Sequence, residues 1–144
     1  MIDLSAIRGV LFDKDGTLLD YHATWMPANR AVAEWLAEGD ADLAHALLVR
    51  GGWLPEADRV AAGTPLAAGD LTDIVAAWAD LLPAHRLADR DALVAAIDRT
   101  FIAHCAPTPV CALAELMDAL KGRGLSLGVA TADSEAGARA SLGP

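Results

Sequence analysis

The chain has 144 residues, of which 54% are hydrophobic, and it carries a formal net charge of −9. This length allows one ordinary domain, or a core with a small inserted domain. The acidic balance argues against nucleic acid and anionic membranes as partners, since both attract basic surfaces. No apolar run is long enough to span a membrane and no signal peptide is visible, so we expect a cytoplasmic protein.

The first chemical signal is residues 13–17, which read Asp-Lys-Asp-Gly-Thr. They follow an apolar run at residues 7–12 that predicts a buried strand. Because side chains alternate along an extended segment, we expect Asp13 and Asp15 to lie on the same side. One carboxylate could then bind Mg²⁺ or attack an electrophile, while the other transfers a proton. Gly16 permits a sharp turn after the strand, since glycine accepts a positive φ.

The same alternation places Lys14 on the side opposite the two acids, where we expect it to pair elsewhere. An ordinary acidic turn is the alternative interpretation of this segment. Four fixed residue types at these positions should match by chance in a chain of this length with odds on the order of one in a thousand. The pattern therefore favours a catalytic or metal-binding site over a simple turn.

The middle of the chain is predicted to be helical. Apolar residues recur at helical spacing in four segments, which are residues 27–38, 40–50, 70–82 and 89–106. Residues 18–26 and 52–69 are expected to be irregular. Asp70 is a good N-cap for the third of these helices, with Asp73 in its first turn.

A second signal follows near the end of the sequence. After a turn at residues 107–109, the pattern predicts a helix, a strand and a helix, at residues 110–122, 125–130 and 134–142. Thr131 and Ala132 lie between that strand and the last helix. Helix N-termini attract phosphate through their free amides and their dipole. Thr131 alone would indicate only a turn, but together with the first motif it indicates a second part of one site.

These two segments resemble the motifs of a known family. Residues 12–20 are similar to the first motif of the haloacid dehalogenase-like (HAD) hydrolases, in the phosphatase branch that includes phosphoglycolate phosphatase. Residues 128–135 are similar to the family's second motif. The resemblance implies an α/β fold, in which a partial Rossmann-like parallel sheet core carries an inserted α-helical cap. The core would comprise residues 1–20 and 108–144, and the cap residues 21–107.

The resemblance also implies a role for each site residue. Asp13 would be the nucleophile that forms an aspartyl-phosphate, and Asp15 would protonate the leaving oxygen and then activate water. Mg²⁺ would be held by the Asp13 carboxylate and the Asp15 backbone carbonyl. Thr131, Ala132 and Gly16 would bind the phosphoryl group of a small phosphorylated metabolite.

The sequence departs from the family pattern after Thr131, because no lysine and no further acidic cluster follow it. We therefore expect the chain to be the N-terminal portion of a longer enzyme, with an open sheet edge and little turnover alone. Two alternatives stay open, namely a sugar phosphomutase of the same superfamily and a non-catalytic remnant that binds phosphate or a partner protein. The sequence does not predict the oligomeric state.

Overall fold

The computed structural model describes residues 6–143, and the contacts within them define two units. Their members are residues 6–21 with 108–131, and residues 22–107 with 132–143. The chain thus leaves the first unit and returns to it later. The division into a core (residues 1–20 and 108–144) and a cap (residues 21–107) stays a prediction, and residues 1–5 and 144 lie outside the described residues.

Among the described residues, helices outnumber strands, and the strands are short. In chain order the elements are β1 (Gly9–Asp13), α1 (Tyr21–Ala37), α2 (Ala41–Gly51), β2 (Trp53–Leu54), β3 (Arg59–Val60), α3 (Pro65–Ala68), α4 (Leu71–Trp78), α5 (Arg90–His104), α6 (Leu113–Lys121), β4 (Ser126–Ala130) and α7 (Glu135–Leu142). Within residues 6–143, none of the helices has both the length and the apolar character needed to cross a membrane. The predicted α/β class is confirmed by this order of elements.

The first unit is built on a two-stranded parallel sheet of β1 and β4. Gly9 lies opposite Ser126, and Asp13 lies opposite Ala130. Helix α6 packs against β4. Parallel strands place their carboxyl ends at the same edge of a sheet, so the residues that follow β1 and β4 emerge side by side.

Apolar side chains on both faces of this sheet reach solvent. Leu11 is 70% exposed and Val129 is 42% exposed. Leu11 is level with Gly128, and Val129 is level with Phe12, so alternation puts the two exposed side chains on opposite faces. Parallel sheets are ordinarily covered on both faces, and in the part of the chain that the structure describes no third strand extends this sheet.

The second unit buries the apolar sides of its helices around Trp78. The Trp78 side chain is fully buried, and its indole Nε1 donates a hydrogen bond of 2.7 Å to the Leu47 carbonyl oxygen. Helix α4 packs against both α2 and α5, and α5 also packs against α7. Trp25 of α1 meets Phe101 of α5 edge to face, with ring centroids 6.2 Å apart. These contacts give the unit its own core.

The N-terminus of α4 confirms the predicted cap at Asp70. Its carboxylate accepts hydrogen bonds from the backbone amides of Thr72 and Asp73, at 2.8 and 2.9 Å. The Asp73 carboxylate in turn accepts from the Asp70 amide at 3.1 Å, which completes a capping box. The helix ends at Trp78, several residues before the predicted stop, because residues 79–82 form turns.

Two of the predicted irregular regions are wrong in detail. Helix α1 begins at Tyr21 and contains Pro27, although proline removes a hydrogen-bond donor inside a helix. The turns on either side of Pro27 bury several side chains, and tertiary packing of this kind stabilises most protein helices. Residues 52–69, expected to lack regular structure, contain the antiparallel pair β2–β3 and the short helix α3.

The acid stability of the second unit should depend on carboxylates that are hydrogen-bonded in the folded state. The Thr72 hydroxyl lowers the pKa of Asp70, and the Arg50 guanidinium lowers the pKa of Asp80, from an ordinary value of 3.8. A group with a lowered folded pKa stabilises the protein above its unfolded pKa, and this stability is lost as the pH falls through the folded pKa. We expect the urea midpoint to be lower at about pH 3 than at about pH 6.

A matched pair of variants would show how much of this pH dependence of the urea midpoint comes from Asp70. Asp70→Asn should flatten the dependence of the urea midpoint on pH, because the folded state then loses one carboxylate with a lowered pKa. Asp91→Asn, an exposed carboxylate in the first turn of α5, serves as the control. Equal pH dependence in Asp70→Asn and in the unaltered protein would contradict this account.

Candidate active site

Strand β1 ends at Asp13, which places this carboxylate at the carboxyl edge of the sheet. Asp13 lies directly opposite Ala130, the last residue of β4, and Thr131 follows Ala130 in the chain. Neighbouring strands are separated by about 4.8 Å, so the sheet brings Asp13 and Thr131 to the same edge. Two predicted site residues more than a hundred positions apart in the sequence therefore meet through strand pairing.

The chain turns back on itself immediately after Asp13. The Lys14 carbonyl oxygen accepts hydrogen bonds from the amides of Leu18 and Leu19, at 2.8 and 3.0 Å. Gly16 has a φ of +86°, a conformation that favours glycine. The Gly16 amide donates to the Leu19 carbonyl oxygen at 2.8 Å, so a phosphoryl group at this amide would compete with a hydrogen bond inside the turn.

Residues 108–110, where the chain re-enters the first unit, form hydrogen bonds with this turn. Leu19 forms a bridge with Pro109, and the amide of Asp20 donates to the Thr108 carbonyl oxygen at 2.8 Å. The Val110 amide donates to the Leu18 carbonyl oxygen at 3.0 Å. These hydrogen bonds hold residues 14–20 in one conformation, which a catalytic loop requires if its groups are to meet a substrate without reorganising.

Asp13 is exposed, and a hydrogen bond orients one of its two carboxylate oxygens. The Thr17 hydroxyl donates to Asp13 Oδ2 at 2.9 Å. Its contact with Asp13 arises because the turn brings residue 17 back over the end of β1. The hydrogen bond fixes the carboxylate without removing it from solvent.

Lys14 binds Asp15, and the prediction that it points away from both acids is wrong. Its ammonium Nζ lies 2.9 Å from both carboxylate oxygens of Asp15. The Lys14 side chain is fully buried, whereas the Asp15 side chain is 21% exposed. The strict alternation of a strand ends at Asp13, and in the turn that follows, the side chains of residues 14 and 15 are no longer on opposite sides.

The second motif is divided between the two units. Thr131 is half-buried and belongs to the first unit, whereas Ala132, the next residue in the chain, belongs to the second. Ser134 caps α7, since its hydroxyl accepts from the Gly137 amide at 2.9 Å and also donates to Asp98 Oδ1 at 2.8 Å. The predicted helix after Thr131 is therefore present, with Ser134 as its N-cap.

The oxygen donors at the end of β1 are of the type that Mg²⁺ prefers. Proteins usually hold this ion with one or two carboxylates and let substrate phosphate oxygens and water complete the shell. Asp13, which is exposed, fits such a role, while the Asp15 carboxylate faces the Lys14 ammonium. Across residues 6–143 no cluster of three or more His, Cys, Asp or Glu side chains could hold a metal ion.

Comparison with protein families identifies the family of this chain. The model of a hydrolase family, described as haloacid dehalogenase-like hydrolase, matches residues 7–143, which is nearly the whole chain. No curated protein and no solved structure matches the chain. The resemblance to this family is thereby confirmed, and the parallel pairing of β1 with β4 agrees with the expected partial sheet core. The chain belongs to the haloacid dehalogenase-like hydrolase family, and its class of activity is that of a hydrolase.

Proposed function

We propose that the protein is a Mg²⁺-dependent phosphomonoester hydrolase that acts through an aspartyl-phosphate, with a small phosphorylated metabolite of the phosphoglycolate type as substrate. The observation that carries this proposal is the exposed Asp13 carboxylate at the carboxyl end of β1, level with Ala130, the residue before Thr131 in the second motif. A carboxylate nucleophile divides hydrolysis into two easier displacements.

In the first displacement a carboxylate oxygen of Asp13 attacks phosphorus, and the bond between phosphorus and the substrate's ester oxygen breaks. The Asp15 carboxyl group gives its proton to that oxygen, so the product leaves as a neutral alcohol. Phosphoryl transfer places charge on several oxygens at once, and catalysis consists mainly of positioning and charge stabilisation.

In the second displacement water attacks the phosphorus of the aspartyl-phosphate. Asp15, now a carboxylate, takes a proton from the water, and the bond between phosphorus and the Asp13 oxygen breaks. Inorganic phosphate leaves and both aspartates return to their starting states. The same group thus serves first as acid and then as base.

Binding of the phosphoryl group is assigned to Thr131 and Gly16 of the first unit. The Thr131 hydroxyl would donate a hydrogen bond to its oxygens, and the Gly16 amide would do so on releasing the Leu19 carbonyl oxygen, which it binds at 2.8 Å in the structure. The role of Ala132, which belongs to the second unit, stays a prediction from the sequence. Asp13 and the backbone carbonyl of Asp15 would hold Mg²⁺, which supplies positive charge for the phosphate oxygens when bound. Local charge of this kind matters in a chain with a net charge of −9, because the protein as a whole repels a phosphate dianion.

The test is phosphate release by the complete gene product from p-nitrophenyl phosphate, 2-phosphoglycolate and a panel of sugar phosphates. We expect turnover with Mg²⁺ and a loss of roughly a hundredfold or more after chelation, reversed by adding Mg²⁺. Turnover that persists without any divalent ion would contradict the metal dependence. Binding of phosphate without turnover of any substrate would favour the non-catalytic alternative.

A further inference from the structure

We propose that Lys14 is a positioning residue, which fixes the carboxylate of Asp15 in the orientation needed for proton transfer. The kinetic part of this inference rests on the proposed function. Lys14 lies between the two acids of the motif, yet neither the family match nor the mechanism above gives it a role.

The geometry of the pair supports a fixed orientation. The Lys14 ammonium is equidistant from the two oxygens of Asp15, at 2.9 Å from each. An ammonium placed symmetrically in this way opposes rotation of the carboxylate, since any rotation lengthens one of the two contacts. The exposed fifth of the Asp15 side chain is the part on which a substrate oxygen or a water molecule could lie.

The lysine is itself held in place. Its side chain is fully buried, and its carbonyl oxygen accepts hydrogen bonds from the amides of Leu18 and Leu19, both of which are buried. An exposed lysine would lose much side-chain entropy on forming such a pair. Here burial and the turn already restrict the conformation of the Lys14 side chain. The ion pair with this fixed ammonium therefore gives the Asp15 carboxylate a defined position.

The charge of Lys14 also suits its position. Asp13 and Asp15 are two acids that must share a site with a phosphate dianion, in a chain whose net charge is −9. A buried ammonium, 2.9 Å from Asp15, offsets the charge that this residue carries once it has given its proton to the leaving oxygen. It does so without occupying solvent-accessible space at the site, because none of the Lys14 side chain is exposed.

A positioning role predicts a dependence on the leaving group. Proton donation by Asp15 matters for a poor leaving group such as phenoxide, and matters little for 2,4-dinitrophenolate, which leaves without a proton. A substitution that misplaces Asp15 should therefore lower kcat/KM, which reports the first displacement, selectively for the first substrate. The second displacement also uses Asp15 but is the same for both substrates. A merely structural effect would slow both substrates equally.

The kinetic test compares Lys14→Met with Lys121→Met, which changes the only other lysine of the sequence, an exposed residue at the end of α6. For Lys14→Met we expect kcat/KM on phenyl phosphate to fall by about 100-fold and kcat/KM on 2,4-dinitrophenyl phosphate by less than about fivefold. Lys14→Arg should restore part of the lost kcat/KM on phenyl phosphate. Lys121→Met should leave both substrates unchanged.

Equal losses on the two substrates would overturn the role of Lys14 while leaving the proposed function intact. Absence of turnover in the unaltered protein would instead overturn the proposed function. The ion pair can be tested separately, because a protein with two lysines gives two ammonium signals in ¹⁵N-lysine NMR spectra. We expect one signal, retained in Lys121→Met, to exchange slowly with water and to change in Asp15→Asn.

Rapid exchange of both ammonium groups in the unaltered protein would overturn the inference without reference to activity. The NMR test remains valid even if Lys14→Met does not fold, because it uses only the unaltered protein, Lys121→Met and Asp15→Asn. Folding of each variant is checked by circular dichroism and by its urea midpoint.

Discussion

Asp13→Asn is expected to abolish phosphate release, lowering kcat by roughly a thousandfold or more. The amide has nearly the same shape as the carboxylate, and its oxygen can still accept the hydrogen bond from the Thr17 hydroxyl, which is 2.9 Å long in the structure. What the amide lacks is the negative charge and the nucleophilic oxygen that form the aspartyl-phosphate. Because Asp13 is exposed, the free energy of unfolding should change by no more than about 0.5 kcal/mol.

The control for this variant is Asp118→Asn, which makes the same chemical change at an exposed position on α6, in the same unit. It should retain full turnover. Brief mixing of the unaltered protein with ³²P-labelled substrate should transfer label to the protein, and Asp13→Asn should remain unlabelled. Turnover retained by Asp13→Asn would remove Asp13 as the nucleophile.

Trp78→Ala should lower the free energy of unfolding of the second unit by about 4 kcal/mol, the usual cost of deleting a large buried aromatic side chain. Trp78 is fully buried in α4, and the helices that surround it lose a shared contact when it is removed. Urea denaturation followed by circular dichroism would measure the loss. Trp78→Phe should cost less, about 2 kcal/mol, chiefly because the buried Leu47 carbonyl oxygen loses its donor.

Trp35→Ala provides the comparison for these two variants. Trp35 is 36% exposed, and the Arg86 guanidinium lies 4.7 Å from its ring centroid. Contacts of this kind at partly exposed positions are worth about 0.5–1 kcal/mol, and the exposed third of Trp35 contributes no burial, so Trp35→Ala should destabilise the protein less than Trp78→Ala. Equal losses at the two tryptophans would contradict the assignment of Trp78 as the centre of the core.

Much of the fold follows from local signals in the sequence. The apolar run before Asp13 predicted β1, but the prediction that this strand is buried is wrong, because each of its residues is exposed or half-buried in a sheet of two strands. The caps Asp70 and Ser134 lie where acceptor side chains precede a helical pattern, and both accept backbone amides in the structure. The two motifs fall at the ends of β1 and β4, so their approach follows from parallel pairing.

The features that sequence analysis missed do not produce a periodic pattern in the sequence. Pro27 inside α1 is tolerated because neighbouring residues of the helix are buried, which is a property of tertiary packing and not of local propensity. The pair β2–β3 has only two residues per strand, too few for a visible alternation. The direction of the Lys14 side chain was predicted wrongly because side chains alternate only within a strand, and β1 ends at Asp13, one residue before Lys14.

The register of the central sheet also sets the order of events during folding. Gly9 pairs with Ser126, so β1 lacks its partner in this sheet until residues 126–130 have been synthesised. Contacts of such long sequence separation form slowly, whereas the helices encoded between the two strands can assemble from near neighbours. Before β4 is available, β1 therefore exposes its apolar side chains and an unpaired edge, and Leu11 remains 70% exposed even after the two strands pair.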